Sequence, residues 1–207
     1  MFRSLATLVD IPIVTRDGDK SRLHSFLFDD RSWLIRFLVV EVGSWFARRL
    51  VVVPTSAFDE PDWTRRVVSA HLTESQLLRS PDVDAIKPVS RQQQLALCEH
   101  FGWPEYVPYW FGPSAMVPAQ REFPIHSHDD PHLRRTLDLA GYQVWATDHH
   151  LGLLEDFALE QDSWHINYLL VRVGQWIYVE RFISTLHVKA ISRGNRQVTI
   201  DCMSQAA

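Results

Sequence analysis

Ser32-Trp-Leu-Ile-Arg-Phe-Leu-Val-Val-Glu-Val-Gly-Ser-Trp45 and Ser163-Trp-His-Ile-Asn-Tyr-Leu-Leu-Val-Arg-Val-Gly-Gln-Trp176 are two versions of one sequence, 131 residues apart. The same shift brings Asp17 onto Asp148, Leu23 onto Leu154 and Phe26 onto Phe157. Eleven of the twenty-nine positions from Asp17 to Trp45 are identical. Tryptophans and glycines that recur together at a fixed distance mark a copied unit. The repeat runs from Val9–Thr73 to Ala140–Ser204, with Val67 carried onto Val198. Two copies separated by a long connection are a duplicated module, because a solenoid stacks about three or more contiguous units.

Each copy reads as strands. Asp17-Gly18 supplies the positive φ of a tight hairpin after Arg16. Leu23-His-Ser-Phe-Leu-Phe28 is a strand that ends in the turn Asp29-Asp-Arg-Ser32. Trp33–Val42 is a long strand rich in β-branched and aromatic residues, and Gly43-Ser44 turns the chain. Leu50-Val-Val-Val53 is stopped by Pro54, and Val67–Leu72 ends the copy. In the second copy Ser192-Arg-Gly-Asn-Arg196 reads as a hairpin tip, with Val198–Cys202 returning. Five or six short strands at this spacing predict a small barrel.

Side chains alternate along a strand with period two. This puts Trp33, Ile35, Phe37 and Val39 on one face and Leu34, Arg36, Leu38, Val40 and Val42 on the other. The first face is expected to fill the barrel. The second turns apolar along its length, as do His165, Asn167, Leu169, Val171 and Val173. One expectation is that Leu38, Val40, Leu169 and Val171 pack against the other copy, the connecting segment or a second subunit. The alternative is a bulge that exchanges the faces midway.

The expected division is a first repeat over 1–80, a connecting segment over 81–135 and a second repeat over 136–207. Thr73-Glu-Ser-Gln76 is a capping box that opens a short helical turn ending near Ser80-Pro81. Ser90-Arg-Gln-Gln93 opens an amphipathic helix over about 90–101, with Leu95, Leu97, Cys98 and Phe101 on its apolar side. Six aromatics then fall within Phe101-Gly-Trp-Pro-Glu-Tyr-Val-Pro-Tyr-Trp-Phe111. Trp103, Tyr106, Tyr109, Trp110 and Phe111 are candidates for a protein-binding patch, because aromatics dominate interface hot spots. The competing reading packs them on the barrels as a lid.

These residues resemble a known family. Asp17-Gly18, Phe26, Asp29-Asp30, Ser32-Trp33, Ile35, Leu38-Val-Val40, Gly43-Ser-Trp45, Val51-Val-Val-Pro54 and Pro61-Asp-Trp63 are similar to the PRC-barrel domain. That domain is the small β-barrel of the cytoplasmic part of the photosynthetic reaction centre H subunit and of a ribosome maturation factor. The resemblance implies an all-β chain of two PRC-type barrels related by internal duplication, in the manner of stand-alone bacterial proteins of that family. It also implies a non-catalytic barrel that docks on other proteins. The copies depart from each other at Gly18/His149, Ser21/Gly152 and Ser25/Asp156.

Composition sets the outer bounds. With 46% hydrophobic and 22% charged residues the chain is globular rather than disordered. A net charge of −4 without a basic stripe argues against nucleic acid as a partner. No run approaches the roughly 20 apolar residues of a membrane span. Two cysteines, Cys98 and Cys202, are too few for a disulfide scaffold. Met1–Asp10 has no continuous apolar run of a signal peptide. The expected compartment is the cytoplasm.

The chemical inventory is thin. His126, His128 and His132, with Asp129 and Asp130, are candidate metal ligands by residue type. Their spacing matches no defined motif, and a solvated polar loop is the competing reading. No Gly-x-Ser-x-Gly elbow or phosphate-cradling loop is present. Asp29-Asp30 and Asp59-Glu-Pro-Asp62 are read as turn residues rather than acid–base pairs. The sequence therefore predicts a non-enzyme without cofactor: a homodimeric protein-interaction or adaptor module. Two alternatives stay open. One is a small-molecule or metal-ion sensor with its ligand between the barrels or at the His/Asp loop. The other is an accessory of a photosynthetic or electron-transfer membrane complex.

Overall fold

The computed structural model describes residues 2–18, 20–43, 48–80, 132–160, 163–174 and 178–201. In chain order the strands are β1 (Phe2–Ser4), β2 (Pro12–Val14), β3 (Lys20–Asp29), β4 (Ile35–Val42), β5 (Arg49–Pro54), β6 (Val68–Ser69), β7 (Leu133–Arg135), β8 (Gln143–Trp145), β9 (His150–Glu160), β10 (Ile166–Val173), β11 (Val179–Ser184), β12 (Val188–Ser192) and β13 (Gln197–Ile200). Two short α-helices, α1 (Glu74–Leu78) and α2 (Thr136–Leu139), and 3-10 turns at Leu5–Leu8, Thr55–Ala57 and Thr185–His187 complete the described elements. The architecture is all-β. No described helix is long and apolar enough to cross a membrane.

The strands form two sheets. One has the order β5-β4-β3-β2-β6 with β7 added to β3, and the other has β11-β10-β9-β8-β13-β12 with β1 added to β9. The two follow one scheme. β2 pairs antiparallel with β3 and parallel with β6, as β8 does with β9 and β13. Gly18, at φ 87°, makes the β2–β3 turn that Asp-Gly foretold. The capping box is present as read: Thr73 accepts from Gln76 N, and the Gln76 side chain accepts from Thr73 N.

The shift of 131 does not hold to the end. Val68 lies beside Ile13 where Val198 lies beside Val144, so late in the repeat the shift is 130 and Val68, not Val67, matches Val198. Thr55 and Thr185 agree. Each hydroxyl donates to two carbonyls of the long strand, Ile35 and Arg36 in one half and Ile166 and Asn167 in the other. The connection after Gly174 is one residue shorter than that after Gly43.

The long strand carries a bulge. Phe28 faces Ile35 but Leu27 faces Phe37, which leaves Arg36 extra; Asn167 is left over at the same place in β10. One extra residue exchanges the faces. Trp33 and Ile35 therefore share a core with Leu38, Val40 and Val42, while Phe37 and Val39 join a second cluster with Leu27, Val52 and Leu133. The uninterrupted alternation from Trp33 to Val42 is thus corrected, and the bulge given as its alternative is present.

Two further expectations change. Strand pairing does not close either sheet among the described residues: β5 and β6 share no ladder, nor do β11 and β12. After β5 the chain continues through a 3-10 turn and the isolated bridges Phe58–Ala70 and Asp62–Val67, so a two-residue β6 is all that returns. Nor are there two separate cores. One cluster of buried residues runs through both halves, and the Phe28 and Phe157 rings meet at 5.4 Å. The halves also exchange their leading segments. β1 precedes the first half yet pairs with β9, and β7 precedes the second half yet pairs with β3.

Candidate functional site

The outer face of the second half is the most conspicuous surface left unpartnered among the described residues. In the first half the outer cluster Leu27, Phe37, Val39, Val52 and Leu133 is buried throughout. The residues in the matching places of the second half are Ala158, Tyr168, Leu170, Phe182 and Phe2. There Phe182 is 60% exposed and Phe2 46% exposed, whereas Val52 is wholly buried. The three rings still gather: Phe2 meets Tyr168 edge-on at 4.5 Å, and Tyr168 meets Phe182 at 6.3 Å. Tyr178, Val179 and Leu186, at or just beyond the ends of β11, are exposed as well. β11 is the last strand of its sheet, and its far edge pairs with no described strand. Clustered exposed apolar groups at a sheet edge are the mark of an interaction surface.

The docking candidates read from the sequence are other residues. Trp103, Tyr106, Tyr109, Trp110 and Phe111 lie outside the described residues, as do His126 and His128. Leu38, Val40, Leu169 and Val171 are fully buried members of the core cluster that spans both halves. Phe182 gave no signal, because a strand reading Val-Glu-Arg-Phe-Ile-Ser differs little in pattern from a covered one. Only its alignment with Val52, at the corrected shift, singles it out.

His132 is placed against Asp30. Its Nδ1 lies 2.9 Å from Asp30 Oδ1, and Arg134 Nε donates to Asp30 Oδ2 at 2.6 Å. Asp30 thus joins β7 to the turn after β3. No group of three or more His, Cys, Asp or Glu able to hold a metal occurs among the described residues. The other carboxylates build turns. Asp29 Oδ1 accepts from Arg31 N at 3.0 Å and Ser32 N at 2.9 Å, and Asp62 Oδ1 accepts from Thr64 N at 3.0 Å and Arg65 N at 2.9 Å. Asp59 lies 2.7 Å from His71 Nε2.

Asp156 ties the halves together from the other side. Its Oδ2 accepts from Ser4 Oγ and, at 3.1 Å, from Ala6 N, so it satisfies a donor of the Leu5–Leu8 turn. Burial raises its pKa above the usual carboxylate value, and the Ser4 hydroxyl opposes part of that rise. In the matching place of the first half stands Ser25, fully buried, whose hydroxyl has no hydrogen-bond partner among the described residues.

No protein-family model matches the chain, and no curated protein matches it either.

Proposed function

We propose that this chain is a non-catalytic, cytoplasmic protein-interaction module built from two PRC-barrel-like units of common origin, and that it docks through the Phe182 face on a second copy of itself. The shared pairing scheme at a nearly constant shift supports a common origin for the halves. The cytoplasmic assignment leans on the PRC-type resemblance and the two cysteines. The observation that carries the docking is Phe182, exposed beside Phe2 and Tyr168 where its counterpart Val52 is buried.

A second copy is the occupant that the β11 edge fits. Two-fold antiparallel pairing centred on Phe182 places both Phe182 rings on one face. It sets Arg181 opposite Ile183 and Glu180 opposite Ser184 of the other copy, so that no like charges oppose each other. Centring on Arg181 or Glu180 would oppose like charges. Light scattering and sedimentation should find a dimer for the wild type and a monomer for Phe182→Arg. Phe182→Cys should cross-link to itself on oxidation. A wild-type chain that stays monomeric at its highest soluble concentration would overturn self-docking.

A further inference from the structure

A cleft of about 440 Å³ opens between β1 and the turn carrying Trp63 and Arg66, lined by Phe2, Arg3, Ser4, Thr7, Leu8, Trp63 and Arg66. Among the described residues no acidic side chain lines it. The Arg3 guanidinium sits over the Trp63 ring, 5.4 Å from its centre. Arg66 Nη2 donates to the Thr7 carbonyl at 3.2 Å, which fixes one edge of its guanidinium. Two buried donors of this wall, Arg3 Nε and Trp63 Nε1, have no hydrogen-bond partner among the described residues. Buried donors are almost always satisfied, so these two mark the wall as short of acceptors, while the open edges of the Arg3 and Arg66 guanidinium groups are what a ligand can meet.

The other half shows what such an acceptor does. Arg134 occupies the place of Arg3 under the shift of 131, and its Nε donates to the Asp30 carboxylate at 2.6 Å. Gln161, uncharged, stands in the sequence position that corresponds to Asp30. Among the described residues neither Arg3 nor Arg66 has a carboxylate partner. A planar guanidinium matches a carboxylate through paired hydrogen bonds. Phe2 and Leu8 offer an apolar wall beside it, and the volume falls in the range of small-molecule sites.

We infer that this cleft binds a small organic carboxylate, with the acid group on Arg3 and Arg66 and the apolar body against Phe2 and Leu8. The site shares Phe2 with the self-docking face, but its acid-binding groups, Arg3 and Arg66, are not members of the Phe182 ring cluster. Titration of the full chain, labelled with ¹⁵N-tryptophan, tests it with benzoate as the probe and benzamide and inorganic phosphate as controls. Trp63→Phe identifies the Trp63 indole signal. Benzoate should move that signal to saturation and benzamide should not. Phosphate should act more weakly than benzoate. Arg3→Gln and Arg66→Gln should each weaken the response about tenfold, while Phe182→Arg should leave it intact. Arg66 is exposed, so its variant keeps the test decisive if Arg3→Gln does not fold. No saturable shift with benzoate, an equal one with benzamide or phosphate, or an unaltered one in Arg66→Gln would each overturn the site.

Discussion

Leu34 and His165 face each other across a single antiparallel bridge that joins the two halves. Beside it, Ile35 N donates to the Trp164 carbonyl at 2.8 Å and Ile166 N to the Trp33 carbonyl at 2.9 Å. The indole-bearing residues thus lie at a reciprocal joint. They are not identical there, since Trp33 takes a positive φ of 57° and stacks on Phe28 at 5.4 Å.

The joint, the exchanged β1 and β7 and the common core make the halves one cooperative unit. Urea unfolding followed by fluorescence and by circular dichroism should give coincident single transitions. Phe28→Ala or Phe157→Ala should lower stability by about 3–5 kcal/mol through lost burial and a cavity, without splitting the transition. Two resolved transitions, or destabilisation of one half alone, would contradict a shared core.

Asp156 should make the joint sensitive to pH. Burial raises its folded pKa above the unfolded value, so the folded state holds the proton more tightly. Below the unfolded value both states are protonated and the group costs nothing. The cost develops as pH rises through that value and is complete above the raised folded value. Asp156→Asn keeps an acceptor for Ser4 and Ala6 and removes the charge. It should therefore be at least as stable as wild type at neutral pH, with any gain shrinking on acidification. Asp156→Ala leaves both donors unmet and should cost about 1–3 kcal/mol. Equal pH profiles for wild type and Asp156→Asn would remove Asp156 from this role.

The two outer faces should respond oppositely to charge. Val52→Arg places a cation in a wholly buried cluster and should cost at least about 3 kcal/mol. Phe182→Arg, in the matching exposed place, should leave the monomer's unfolding midpoint within about 0.5 kcal/mol of wild type while abolishing self-association. Melting curves of both variants at low protein concentration decide this. Similar losses for the two would mean that Phe182 is packed within the monomer.

How far the fold was legible follows from where the signals lie. Trp33, Gly43 and their counterparts are bulky or conformationally special, so their recurrence in both halves at a shift of 131 stands out. The bulge was legible only as an alternative and its place at Arg36 was not, because apolar residues on both sides of Arg36 let the alternation be read with or without an inserted residue. The exchange of β1 and β7 was hidden. Phe2–Ser4 and Leu133–Arg135 are three residues each, too short for a period-two pattern, although Arg3 and Arg134 do match at 131. Orphan donors such as Trp63 Nε1 are properties of three-dimensional placement. No spacing rule announces them.

Gly152 gives the most local test of how the halves differ. A Cβ built there would stand 2.1 Å from the Arg172 carbonyl oxygen and 3.2 Å from Val173 Cα, both backbone atoms of the neighbouring strand. Backbone gives way less readily than a side-chain tip, so β9 and β10 would have to part. Its counterpart in the first half is Ser21, which is buried and carries a Cβ at that place. Gly152→Ala should cost about 1–3 kcal/mol from overpacking. Ser21→Gly should cost only about 0.5–1 kcal/mol, from added freedom of the unfolded chain. Urea midpoints of the two variants provide the comparison. A Gly152→Ala protein as stable as wild type would show that β10 yields at no cost and that the close approach at Arg172 imposes no constraint.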